Sequence, residues 1–102
     1  MNLKDKTAII TGSGRGIGRD TGLALAKERC KVVLVSRTMG ELEKTRKEII
    51  DSGGNAISIV ADLTKKEDIE KIIKRTLTEY GRIDILINNA AVLFSSPFHE
   101  IT

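Results

Sequence analysis

Short runs of consecutive apolar residues alternate with longer stretches in which apolar positions recur every three or four residues. Residues 6–11 (KTAIIT) form a short apolar run of the kind that makes a strand buried on both faces. The run passes straight into Gly12-Ser13-Gly14-Arg15-Gly16-Ile17-Gly18. A helix is predicted over 17–28, with Thr21, Ala24 and Leu25 continuing one face from Ile17. Residues 31–36 (KVVLVS) are the second predicted strand. Thr38 and Glu41 have the spacing of a capping box, which opens a helix reaching Asp51, and Gly53-Gly54 ends it. Residues 56–61 (AISIVA) are the third strand. Thr64 and Glu67 repeat the capping-box spacing, and the helix that follows places Ile69, Ile72, Ile73, Leu77 and Tyr80 on one face before Gly81 stops it. Residues 83–88 (IDILIN) are the fourth strand, and residues 91–102 have little periodicity.

The order is therefore βαβαβαβ. Strands separated by helices must run parallel, joined by right-handed crossovers. The expected fold class is α/β, a Rossmann-type doubly wound parallel sheet with strand order 3-2-1-4. Its topological switch lies between strands 1 and 4, and ligands bind at the carboxyl ends of the strands there. No repeat, linker or low-complexity segment interrupts the pattern, so residues 1–102 read as one domain. A complete enzyme of this class needs more than about 150 residues. At 102 residues the fold is expected to be incomplete.

Composition narrows the function. The chain carries 17 basic and 14 acidic residues, a net charge of +3, with the two signs interleaved as in Glu41-Leu42-Glu43-Lys44. Interleaved charge at helical spacing makes solvated helix faces. A nucleic-acid surface needs one-sided basic clustering with aromatics between, and aromatics are 3% of the chain. Cys30 is the single cysteine, so it has no intramolecular disulfide partner and belongs to no Cys-rich metal site. No apolar run approaches the roughly twenty residues of a membrane span, and residues 1–6 lack an apolar signal segment. A soluble, reducing, cytoplasmic setting is the expectation.

The glycine-rich turn between a strand and a helix has a physical use. Glycines let the backbone turn tightly and approach a ligand, and the helix N-terminus offers unpaired N–H groups and a positive dipole end to a phosphate. The spacing here is T-G-x-x-x-G-x-G, from Thr11 through Gly18, with no lysine-serine pair of a P-loop after it. With Asp62-Leu63 after strand 3 and Asn88-Asn89-Ala90-Ala91 after strand 4, the chain resembles the N-terminal part of the short-chain dehydrogenase/reductase family over essentially its whole length.

The resemblance implies a nicotinamide dinucleotide as partner. Gly12, Ser13, Gly14, Arg15, Gly16, Ile17 and Gly18 would hold its pyrophosphate and adenosine ribose. Asp62 would bind the adenine amino group with the Leu63 backbone beside it, and Asn89, Ala90 and Ala91 would lie along the ribose and nicotinamide. An acidic residue at the end of strand 2 would favour NAD. Ser36-Arg37 stands there instead, and a guanidinium meets a 2′-phosphate with charge-assisted hydrogen bonds. Arg15 adds a second positive charge, so NADP is expected in preference to NAD. Two positions depart from the family pattern. Ala91 replaces a glycine, and Arg29 sits where a helix-ending glycine is common, at a cost of about 1 kcal/mol if its backbone is left-handed.

The family's catalytic residues are a Ser, a Tyr with a Lys four residues later, and an Asn, all beyond this stretch. The single tyrosine, Tyr80, is followed four residues later by Asp84 and belongs to an apolar helix face. No catalytic residue and no metal ligand is therefore assigned. Cys30 reads as a small buried hydrophobe. His99 reads as solvated beside Glu100, Ser95 and Ser96 have no nearby general base, and Asp5, Asp20, Asp51, Asp68 and Asp84 form no acid/base pair.

Two functions follow. One is the cofactor-binding portion of an NADP-dependent oxidoreductase, inactive alone, with a carbonyl or alcohol substrate only in a complete protein. The other is a free-standing nucleotide-binding or scaffold module without redox activity. Thr102 would cap the next helix of the family fold, which favours the first. The open edge of Ile85-Leu86-Ile87 makes self-association an expectation.

Overall fold

A computed structural model of the chain describes residues 2–12 and 16–89. Of the residues singled out above, Ser13, Gly14, Arg15, Ala90, Ala91, Ser95, Ser96, His99 and Thr102 lie outside the described residues. The elements are β1 (Thr7–Thr11), α1 (Gly16–Lys27), β2 (Lys31–Ser36), α2 (Gly40–Asp51), β3 (Asn55–Val60), α3 (Lys66–Tyr80) and β4 (Ile85–Asn88). The strands form one parallel sheet in the order β3-β2-β1-β4, the order expected of the doubly wound arrangement. The register pairs Thr7 with Lys31, Lys31 with Asn55, and Thr11 with both Val35 and Asn88.

Alternation along each strand divides the core in two. Ile9, Val33, Val35 and Ile59 face α3, where Ile72, Leu63 and Tyr80 join them. Ile10, Val32, Leu34 and Ala56 face the opposite way, against Leu42 and Ile49 of α2 and Leu23, Leu25 and Ala26 of α1.

The packing face of α1 differs from the one periodicity suggested. Ile17 is 77% exposed, and the buried residues of the helix are Gly18 and Gly22, one turn apart. A Cβ at Gly22 would sit 3.2 Å from Leu34 Cδ2 and 3.6 Å from Ile10 Cδ1. The helix backbone thus lies against the sheet, at a separation a bulky face could not reach.

Neither capping box forms. The N-cap of α2 is Met39, already helical at φ −81°, ψ −39°, without a side-chain bond. The N-cap of α3 is the extended Lys65, and the Thr64 hydroxyl donates to Asp62 Oδ1 at 2.7 Å instead of serving the helix. The helix ends follow expectation more closely. Gly81 is left-handed (φ 76°), with its N–H on Leu77 O at 2.8 Å. Arg29 is left-handed too (φ 65°) and closes α1 by Arg29 N–H to Ala26 O at 3.0 Å and Cys30 N–H to Leu25 O at 3.1 Å, a Schellman pattern built without glycine. Cys30 is buried, its Sγ donates to Lys6 O at 3.2 Å, and burial pushes its thiol pKa up.

The apolar stripe of α3 is covered only in part. Ile72 is buried and Tyr80 half-buried, while Ile69, Ile73 and Leu77 stay exposed. Between α3 and β4 lies an apolar groove of about 440 Å³, lined by Ile9, Ile69, Ile72, Ile73, Ile83 and Leu86 among others. Among the described residues no helix is long and apolar enough to cross a membrane, and no group of His, Cys, Asp and Glu could hold a metal ion.

Candidate functional site

The three motifs meet at the carboxyl edge of the sheet. β1 ends at Thr11, and Gly12 turns the chain at φ 68°, its N–H still bonded to Val35 O at 2.8 Å. The chain re-enters at Gly16, also left-handed (φ 64°), with nothing among the described residues within 4 Å of the place a Cβ would occupy. Gly16 and Ile17, which begin α1, are both exposed. Unbonded N–H groups at such a terminus favour an anion.

The ends of β2 and β3 supply the charged part. Ser36 closes β2, its carbonyl accepting the Ala61 N–H at 2.9 Å and its Oγ the Thr38 N–H at 3.4 Å. Arg37 follows, exposed, and its charge reaches the Asp62 carboxylate. Asp62 Oδ1 accepts both the hydroxyl and the N–H of Thr64, at 2.7 and 2.9 Å. Those bonds, with Lys65 and Arg37 contributing less, hold the Asp62 carboxyl below the usual carboxylate range. The Asp62 N–H donates to Asp68 Oδ2 at 2.7 Å. Leu63 packs against the α3 side of the core and lines the apolar groove.

At the end of β4, the Thr11 hydroxyl donates to Asn88 Oδ1 at 2.7 Å, and the Asn89 N–H donates to Thr11 O at 3.2 Å. The Asn89 amide nitrogen Nδ2 is buried and has no hydrogen-bond partner among the described residues. The edge thus brings together, in spatial order, the Asp62 carboxylate, the Arg37 guanidinium, the amino end of α1 and Asn89. A cation, a helix amino end and a separate hydrogen-bond acceptor spread along one edge fit an elongated anionic ligand such as a dinucleotide.

Several contributors were not legible in the sequence. Thr11 and Asn88 belong to the motifs, but spacing alone did not reveal that they bond each other across strands. Asp68 read as one of several scattered aspartates that form no acid/base pair, and its link to the Asp62 N–H arises from a loop folding back. Tyr80 sits at the other end of the sheet. Lys31 Nζ, on the first residue of β2, lies 5.6 Å from its ring centroid, and burial pushes its hydroxyl up to about 12.

A short chain dehydrogenase family model matches residues 6–102. An uncharacterized oxidoreductase of Listeria monocytogenes is 39% identical over 101 residues, which are 99% of this chain and 41% of that protein. The chain thus spans about two fifths of that relative's length. A short-chain dehydrogenase/reductase homolog of Bacillus subtilis, YusS, is 36% identical over 102 residues, 99% of this chain and 94% of that protein. Among solved structures, a metagenomic short-chain oxidoreductase in complex with NADP superposes with a TM-score of 0.84 at 34% identity, covering 100% of this chain and 47% of that one.

Proposed function

The chain belongs to the short-chain dehydrogenase family, and from that premise we propose that its carboxyl sheet edge binds a nicotinamide dinucleotide, NADP(H) in preference to NAD(H), as the cofactor-binding part of an oxidoreductase. When bound, the nicotinamide supplies hydride chemistry toward a carbonyl or alcohol. The chain's own residues bind and orient. Gly12, Ser13, Gly14, Arg15, Gly16, Ile17 and Gly18 receive the pyrophosphate in this proposal. Asp62 and Leu63 receive the adenine, while Asn89, Ala90 and Ala91 line the ribose and nicotinamide. Ser36 and Arg37 receive the 2′-phosphate, with Arg15 as a second cation. The observation that carries the reading is the convergence of the three motifs on one sheet edge: the left-handed Gly12 that follows Thr11, the Asp62 carboxylate, and Asn89, whose N–H is bonded to Thr11 O. The NADP-bound metagenomic relative supports the choice of cofactor.

Fluorescence titration of the chain with NADPH and NADH tests this reading. NADPH is expected to bind more tightly, and Arg37→Asp is expected to reverse the order. Equal affinities, or an unchanged order in the variant, refute the preference. Absence of binding by either cofactor refutes the site.

The 102 residues contain no Tyr-x-x-x-Lys, since Tyr80 is followed by Asp84. Hydride transfer to a carbonyl requires a proton donor at the carbonyl oxygen. The chain alone is therefore inactive in this proposal, and its substrate belongs to a complete cytoplasmic protein. The outer edge of β4, with Leu86 63% exposed beside the α3 groove, is proposed to drive self-association. A monomer by sedimentation at micromolar concentration refutes that.

A further inference from the structure

We infer that Asp68 and Thr64 are positioning residues for base recognition: between them they fix the Asp62 backbone and one carboxylate oxygen, so that the other oxygen is aimed at a donor group on the base. The inference rests on the cofactor reading above and goes beyond it, because neither residue need touch the ligand.

Asp62 lies past the end of β3, where the sheet ladder no longer fixes the chain. The last ladder-like bond on this side is Ala61 N–H to Ser36 O at 2.9 Å. Beyond it the backbone is held by the Asp62 N–H on Asp68 Oδ2 at 2.7 Å. The side chain is held by the Thr64 N–H and hydroxyl, both on Oδ1, at 2.9 and 2.7 Å. Oδ2 of Asp62 takes no hydrogen bond among the described residues, so the free oxygen has a defined direction.

Asp68 is itself anchored. It lies one turn before Ile72, which is 5% exposed in the α3 core and whose carbonyl accepts the Thr76 hydroxyl at 2.7 Å. Packing of α3 is in this way transmitted to the carboxylate.

An ionised carboxylate only accepts hydrogen bonds. Held in place, it favours a base that turns an amino group toward it and disfavours one that turns a carbonyl. The readout is therefore a ratio: the affinity of the chain for NADPH against its affinity for the analogue in which hypoxanthine replaces adenine. A role for Asp68 confined to the N-terminal dipole of α3 would weaken both cofactors alike and leave the ratio unmoved. Loss of positioning lowers the ratio.

The test measures both affinities for the parent chain and for Asp68→Ala, Asp68→Asn, Thr64→Val and Thr64→Ser. The adenine preference is expected to fall by roughly threefold to tenfold in Asp68→Ala and Thr64→Val, the scale of one lost hydrogen bond. It is expected to persist in Asp68→Asn, whose amide oxygen still accepts, and in Thr64→Ser, whose hydroxyl still donates. A parental ratio in both Asp68→Ala and Thr64→Val overturns the inference, as does a parent chain that binds both cofactors equally. If Asp68→Ala does not fold, Thr64→Val decides, because Thr64 is exposed and lies outside the helix. A parent chain that binds neither cofactor overturns the cofactor reading itself, and the inference with it.

Discussion

Gly53 and Gly54 together end α2, yet each is required for a different reason, and two pairs of substitutions separate them. Gly53 is left-handed at φ 90°, with nothing within 4 Å of its Cβ position. Gly54 has an ordinary φ, but a Cβ there would lie 2.8 Å from Ile49 Cγ2, 3.2 Å from Ile49 O and 3.3 Å from the Ala26 Cβ. Ile49 is fully buried and its Cγ2 hangs directly on a branched Cβ, so it cannot swing aside. Its carbonyl already accepts the Gly54 N–H at 2.9 Å. Gly54→Ala therefore overpacks a closed site and should cost about 1–3 kcal/mol. For a domain of this size that is a fall in Tm of roughly 4–8 °C per kcal/mol. Gly53→Ala should cost about 1 kcal/mol through backbone strain alone. Asparagine, which tolerates the left-handed region, should recover part of the loss at position 53 and none at 54. Urea unfolding of the four variants measures this. Asn at 54 as stable as the parent, or no difference between Asn and Ala at 53, refutes the assignment. Both glycines sit at the amino end of β3, away from the carboxyl edge, so NADPH affinity of the folded fraction should not change.

Tyr80 is the chain's single tyrosine and there is no tryptophan, so tyrosinate absorbance reports it alone. Its folded pKa, pushed up from the ordinary 10.0 to about 12 by burial and then Glu79, means stability is intact below pH 10 and declines as pH rises toward 12. A titration midpoint near 10 in the folded chain refutes the burial. Asp84 accepts from Arg82 and from the Thr7 N–H, in that order of effect, which holds its carboxyl below the ordinary 3.8. Its contribution is present above that ordinary value and lost as pH falls through the lowered one. Asp84→Asn should flatten the acid limb of a stability–pH curve, and an unchanged limb counts against it. Thr11→Val keeps shape but removes the 2.7 Å bond to Asn88 Oδ1, and should destabilise by about 0.5–1.5 kcal/mol in thermal unfolding, since exposed Asn88 can turn to water. A loss under about 0.5 kcal/mol would mean that this bond contributes little net.

Chain order and sheet topology were readable from the residues alone. Short apolar runs rich in β-branched residues at 7–11 and 31–36, bounded by turn signals, read as strands buried on both faces, and helices between them make the pairing parallel. The three glycine, aspartate and asparagine motifs each follow a strand, so a parallel sheet had to bring them to one edge. Details that depend on how closely two elements approach were not readable. Periodicity ranked Ile17 as a packing residue, whereas the buried residues of α1 are Gly18 and Gly22, and at Gly22 a Cβ would crowd Leu34 and Ile10. The spacing Thr64-x-x-Glu67 matched a cap, but the hydroxyl had a nearer acceptor in Asp62.

Local pattern by itself determined the elements, their order and the edge at which a ligand would sit, because hydrophobic period and glycine placement act within a few residues. Tertiary structure alone decided which face of α1 is buried, that Asp68 reaches back to Asp62, that the Asn89 N–H meets Thr11 O, and that Ile69, Ile73 and Leu77 on the apolar stripe of α3 stay exposed. Those outcomes depend on distances between segments far apart in the chain, set by packing volume and by competition among hydrogen-bond acceptors.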